Sequence, residues 1–167
     1  MLQLRLVLVL GVIVFVAVWR TKRFTRRMVQ FGISEIDQMT GRQFEEYVGT
    51  LFTSQGYSHK YTPTTGDYGA DLLLKKGQET IVVQATRYKQ TVGVKAVQEV
   101  IPAIKMYNAT AAWVVTNSTY TKQSLMLAKQ NHDRMINRDD LNQMSIAISR
   151  NGSEILENGS RDNYILF

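Results

Sequence analysis

From Thr40 onward, apolar and polar positions recur with two distinct periods, and the changes of period divide the chain into elements. Phe44, Tyr47, Val48, Leu51 and Phe52 repeat at helical spacing up to Gly56, and the Thr40 hydroxyl is placed to cap the helix start. Tyr57 to Pro63 reads as a short strand. Gly66, Asp67 and Gly69 mark a turn, after which Ala70 to Leu74 and Thr80 to Gln84 read as two apolar strands joined by Lys75 to Glu79, a hairpin-like pair. Val94, Val97, Val100, Ile101, Ile104 and Met106 predict a helix over Val92 to Tyr107, with Pro102 either tolerated inside it or marking a kink. Ala111 to Thr116 is a strand, Tyr120 to Asn131 a helix and Met135 to Asn137 a brief strand, and Asp139 is expected to cap a last short helix from Asp140. Ser145 to Ile148 and Glu154 to Leu156 flank an Asn-Gly pair, which predicts a C-terminal hairpin or a tail over 145–167. The order helix, three strands, helix, strand, helix predicts an α/β fold with a mixed sheet flanked by helices.

The first residues follow neither period. Leu6 to Trp19 carries no polar side chain, and extension back to Leu2 makes an 18-residue stretch interrupted only by Gln3 and Arg5. At about 1.5 Å per residue such a helix just spans a bilayer, with Arg5 snorkelling to one surface and Trp19 at the other. Arg20, Lys22, Arg23, Arg26 and Arg27 follow the apolar run, so the positive-inside rule predicts an outside N-terminus and a cytoplasmic C-terminal domain. A signal peptide would carry its basic residues before the apolar run instead. The expected organisation is a transmembrane anchor over 1–19, a basic juxtamembrane connector over 20–39 and one domain over 40–144, with residues 1–27 contacting membrane lipid.

Charge changes this picture less than its total suggests. The net charge of +6 comes mainly from the connector, because Thr40 to Phe167 holds 14 Lys+Arg against 12 Asp+Glu. With no cysteine and two histidines, disulfide frameworks, thiolate metal sites and cysteine nucleophiles are excluded.

The candidate chemistry lies in four positions: Glu45 in the first helix, Asp71 opening a strand, and Gln84 with Thr86 at the end of the next. Residues two apart in a strand share a face, so Gln84 and Thr86 point the same way, and a hairpin partner brings Asp71 beside them. A carboxylate, an amide oxygen and a phosphate oxygen suit a hard cation such as Mg²⁺ or Mn²⁺ that keeps several waters, and this arrangement suits phosphodiester cleavage. Arg87, Lys89, Lys95 and Lys105, with Glu99 the single acid among them, give the segment a positive balance suited to phosphate contacts, although a solvated charged face explains them equally.

The stretches GRQFEEYVGTLFTSQGY, GDYGADLLL, IVVQATRYKQTVGVKAVQEV, AAWVVTNSTYTKQSLMLAKQ and INRDDL, in this order from Thr40 to Leu141, resemble the Mrr-type catalytic domain of the restriction-endonuclease-like nucleases. The resemblance implies a restriction-endonuclease-like sheet and a metal-dependent endodeoxyribonuclease. Asp71 and Gln84 would stand at the metal, Glu45 would be the first-helix acid, and Gln98 would occupy a further polar position. DNA would be held by Arg87, Lys89, Lys95 and Gln98. Specificity in such enzymes is commonly supplied by a separate recognition domain or a homodimer. One departure stands out: the family pattern Q-x-K requires lysine where this chain has Thr86. Lys89 or Lys95 would have to reach the site from another position. Otherwise the domain is a catalytically impaired DNA-binding module at the membrane, or a scaffold for interactions near lipid.

Overall fold

The computed structural model describes Gly11, Val12, Phe15 and residues 33–63, 66 and 68–161, with side chains in the main body from 35 to 150. The apolar run expected as an anchor lies almost wholly outside these residues. Among the described residues, no helix is long and apolar enough to cross a membrane.

Helix α1 covers Ile33–Gln38 and α2 covers Gly41–Ser54. Thr40 starts α2 through a reciprocal cap: its Oγ1 accepts from Gln43 N at 3.2 Å, and Gln43 Oε1 accepts from Thr40 N at 2.8 Å. Strands β1 (Ser58–Tyr61), β2 (Leu72–Lys76) and β3 (Glu79–Thr86) follow as an antiparallel meander. Lys76 pairs with Glu79 across a two-residue turn, where Gly77 takes the left-handed φ of +58° that a side chain would resist. Helix α3 (Val94–Met106) then crosses over to β4 (Ala111–Thr116), and α4 (Lys122–Gln130) crosses over to β5 (Arg134–Ile136), both strands joining in parallel. Strand order equals chain order, β1-β2-β3-β4-β5.

Side-chain alternation sorts the strands onto two faces. Leu72, Leu74, Ile81, Val83 and Ala85 pack with Phe44, Tyr47, Val48, Leu51 and Phe52 of α2 and with Trp113, Ile136 and Leu141. Val82, Ala112 and Val114 face the other way, onto Ala96, Val97, Val100 and Ala103 of α3 and Ala128 of α4. Burying each of the larger side chains stabilises the fold by roughly 1.5–3 kcal/mol before its ordering entropy is counted.

Three expectations change. The connector is not wholly outside the domain, because Ile36 and Met39 are buried in the first core and Asp37 reaches across to Arg138. The final helix is capped by Asn137 rather than Asp139: Asn137 Oδ1 accepts from Asp139 N at 2.7 Å and Asp140 N at 3.0 Å. That helix, α5, runs Arg138–Arg161, so the segments expected as a C-terminal hairpin continue it. Leu141, Met144 and Ile148 explain why, since they fall on one helical stripe against the first core and reward extension over a local Asn-Gly turn.

Candidate active site

The turn before β2 brings Asp71 to its place. Gly69 has φ +78°, and a side chain there would overlap the carbonyl and Cβ of Glu99 on α3. Only a glycine lets this turn lie backbone to backbone on the helix. Two residues on, Asp71 N donates to Val83 O at 2.8 Å, and Asp71 Oδ2 accepts from Ala85 N at 2.7 Å. The carboxylate is thereby fixed alongside the end of β3.

Gln84 stands on β3 between Val83 and Ala85, on the α3 side of the sheet. Its Nε2 donates to Glu99 Oε2 at 3.2 Å, while its Oε1 is buried without a hydrogen-bond partner among the described residues. Lys95, one helical turn before Glu99, puts Nζ 3.5 Å from Glu99 Oε1. A chain of polar contacts therefore runs from Gln84 through Glu99 to Lys95. Thr86 lies two residues past Gln84, with its carbonyl accepting from the Thr116 hydroxyl at 2.7 Å.

The remaining expected residues are placed differently. Glu45 is on α2, which covers the opposite face, and it accepts from Arg42 Nη1 at 3.1 Å. The Arg42 guanidinium in turn lies 4.3 Å from the centre of the Tyr61 ring. Arg87 donates from Nη1 to the Asp37 carbonyl at 3.1 Å, so its charge is turned toward α1. Gln98 is exposed on α3, next to Glu99. Lys89 lines a separate cleft of about 450 Å³ with Asp37, Tyr88, Asn117, Ser118, Thr119 and Arg138.

That cleft is built on a tight polar network. Arg138 grips Asp37 with both terminal nitrogens, at 2.6 and 2.7 Å, and Asn117 Nδ2 donates to the same carboxylate at 2.9 Å. The Arg138 hydrogen bond holds the Asp37 carboxyl below its ordinary range, with Asn117 adding to the effect. Sequence reading missed this network and also missed Glu99. The one signal for Glu99 was its spacing: it stands three residues after Ala96 and four after Lys95, on the rim of the stripe facing the sheet.

The donor set suits a divalent cation. Asp71 offers carboxylate oxygen, and the buried Oε1 of Gln84, unpartnered among the described residues, is an acceptor that a hard cation or its water would satisfy. Among the described residues no three His, Cys, Asp or Glu groups gather closely enough to hold a metal by themselves. A cation here would keep several water or phosphate ligands, as Mg²⁺ commonly does.

Two solved structures show a similar fold, and a third a weaker likeness. A protein of unknown function, AF1548, has 13% identity and a TM-score of 0.50, covering 56% of this chain and 55% of its own. The DNA modification-dependent restriction endonuclease AspBHI has 18% identity and a TM-score of 0.55, covering 79% of this chain and 36% of its own. The MspJI restriction endonuclease, in complex with a 27-mer oligonucleotide, has 18% identity and a TM-score of 0.46, covering 60% and 26%. This chain thus spans about half of the first and about a third of the second. No curated protein matches it. The family model Mrr_cat, restriction endonuclease, matches residues 36–145, a span that holds Asp71, Gln84, Lys95 and Glu99. The chain therefore belongs to the Mrr_cat restriction endonuclease family.

Proposed function

We propose that this protein is a metal-dependent DNA endonuclease of the Mrr type, tethered to a membrane through its first residues with the nuclease domain on the cytoplasmic side. The observation that carries the enzymatic reading is the buried Gln84 Oε1, an acceptor without a donor among the described residues, on the same strand whose Ala85 amide fixes the Asp71 carboxylate. Asp71 and Gln84 would hold Mg²⁺ or Mn²⁺. Bound there, the cation would polarise a phosphate oxygen and lower the pKa of a water for attack on phosphorus.

Lys95 is the better substitute for the family lysine. It reaches the site through Glu99, whereas Lys89 lines the cleft on the Asp37 side. In this reading Lys95 offsets charge developing on the phosphate, and Lys89 and the exposed Gln98 contact DNA backbone. Arg87 is committed to Asp37 and is left out of the DNA contact. Membrane tethering is supported by the apolar run and by the five basic residues after it.

Thr86 favours a second reading, a DNA-binding module that has lost catalysis. Supercoiled plasmid treated with the full chain in detergent, with Mn²⁺, separates the two. Under the first reading the natural protein nicks, and Asp71→Ala abolishes nicking while keeping the fold and most salt-dependent DNA affinity. A protein that binds plasmid but nicks it only as Thr86→Lys belongs to the second. Absence of nicking by both natural protein and Thr86→Lys would overturn the enzymatic proposal.

A further inference from the structure

We propose that Glu99 is a positioning residue that sets which way the Gln84 amide faces. An ionised carboxylate accepts hydrogen bonds and donates none, so the end of the amide turned toward it must be the NH₂. The 3.2 Å contact from Gln84 Nε2 to Glu99 Oε2 consequently fixes the oxygen on the other side. That oxygen is the buried Oε1, which has no partner among the described residues.

Glu99 is itself held from two directions. The Gly69 turn lies against its backbone, which fixes the helix position, and Lys95 Nζ lies 3.5 Å from its other carboxylate oxygen. One carboxylate oxygen thus serves Gln84 and the other serves Lys95. Loss of the acceptor-only character at this position leaves the amide free to turn over, presenting NH₂ where a cation needs oxygen. The inference rests on the metal-dependent reading above and deepens it: Glu99 touches neither cation nor substrate and acts through Gln84.

The test is Mn²⁺ affinity, read from the electron paramagnetic resonance signal of free Mn²⁺ with the full chain in detergent, beside thermal unfolding of each variant. Glu99→Gln keeps the size but supplies a donor as well as an acceptor, and should weaken Mn²⁺ binding roughly 10- to 100-fold, the usual effect of losing a partner that orients a ligand. The double variant Gln84→Glu/Glu99→Gln exchanges donor and acceptor across the same contact. A carboxylate at position 84 presents oxygen whichever way it turns, so the double variant should recover affinity to within about threefold of the natural chain, with no comparable change in melting temperature.

Unchanged affinity in Glu99→Gln, with affinity lost in Asp71→Ala, overturns the role of Glu99 and leaves the metal site standing. Failure of the double variant to recover also overturns it, because Glu99 would then act by its charge. Absence of Mn²⁺ binding by the natural chain, or binding indifferent to Asp71→Ala, overturns the metal reading and this inference together.

Discussion

The two faces of the sheet are built from different side chains. On the α2 and α5 face the core is thick and aromatic: the Phe52 and Trp113 ring centres lie 5.2 Å apart, and Tyr57 meets Trp113 edge-on at 5.8 Å. On the α3 and α4 face the fully buried residues are small, Ala70, Ala96, Ala103, Ala112 and Ala128 with Val82, Val92, Val97, Val100 and Val114, and larger side chains such as Ile104, Tyr107 and Leu127 lie at its partly buried edge. Large rings bury more area per residue and supply most of the stabilisation. Small residues let α3 settle close to the sheet, and on its rim Gln84 meets Glu99. Stability and candidate chemistry have been assigned to opposite sides of the same strands.

Phe52→Ala should have the largest effect, about 3–5 kcal/mol of lost stability in denaturant unfolding, because a fully buried ring leaves a cavity that its neighbours cannot fill. A loss below about 1 kcal/mol would mean that the aromatic face is not the anchor. Ala103→Leu tests the α3 and α4 face. Overpacking there should cost about 1–3 kcal/mol and lift α3, so Mn²⁺ affinity should fall in protein that is still folded at the assay temperature. Full affinity in the folded variant would show that the close approach is not what assembles the site.

The smallest effects concern two aspartates that titrate in opposite senses. Desolvation raises the Asp133 carboxyl to about 6, and both of its oxygens are buried without partners among the described residues. Its folded-state pKa exceeds its unfolded one, so ionisation opposes folding, and stability should increase as pH falls from about 6 toward 4. Asp37 is held low by Arg138, so its contribution is present above its unfolded pKa and is lost only as pH falls through the lower folded value. Between pH 4 and 7 the natural chain should lose melting temperature relative to Asp133→Asn as pH rises, on top of the opposite slope that the burial-lowered His59 gives both chains, while Asp37→Asn should keep the natural slope. An unchanged slope in Asp133→Asn would sink the assignment.

Much of this arrangement was legible in the chain itself. Apolar runs at Ala70–Leu74 and Thr80–Gln84 located both strands, which in the fold run Leu72–Lys76 and Glu79–Thr86 because the joining turn shortens to Gly77 and Gln78, and the second strand carries both Gln84 and Thr86. Helical spacing found α2 and α3, with α3 carrying Pro102 inside it. What could not be read were contacts that depend on how elements cross. Glu99 is 15 positions from Gln84, and its meeting with that residue depends on the separation of α3 from the sheet. Local pattern also misled at the C-terminus, where an Asn-Gly pair suggests a turn but tertiary packing of Leu141 and Met144 carries the helix onward. Arg87 looked like a phosphate contact because its partner, the Asp37 carbonyl, lies 50 positions earlier.

The pairing of Asp37 with Arg138 has a kinetic consequence. Every strand neighbours the one before it in the chain, so the sheet can be assembled by closing one hairpin or one helical crossover at a time, each at a modest entropic cost. Asp37 and Arg138 are 101 positions apart, and their contact requires the first and last helices to arrive at the ends of β3 and β4 together. It should close late in folding and open early in unfolding, a latch on a sheet already built. Mutations at this pair would then change mainly the rate at which the native domain opens and leave the rate at which it forms nearly untouched.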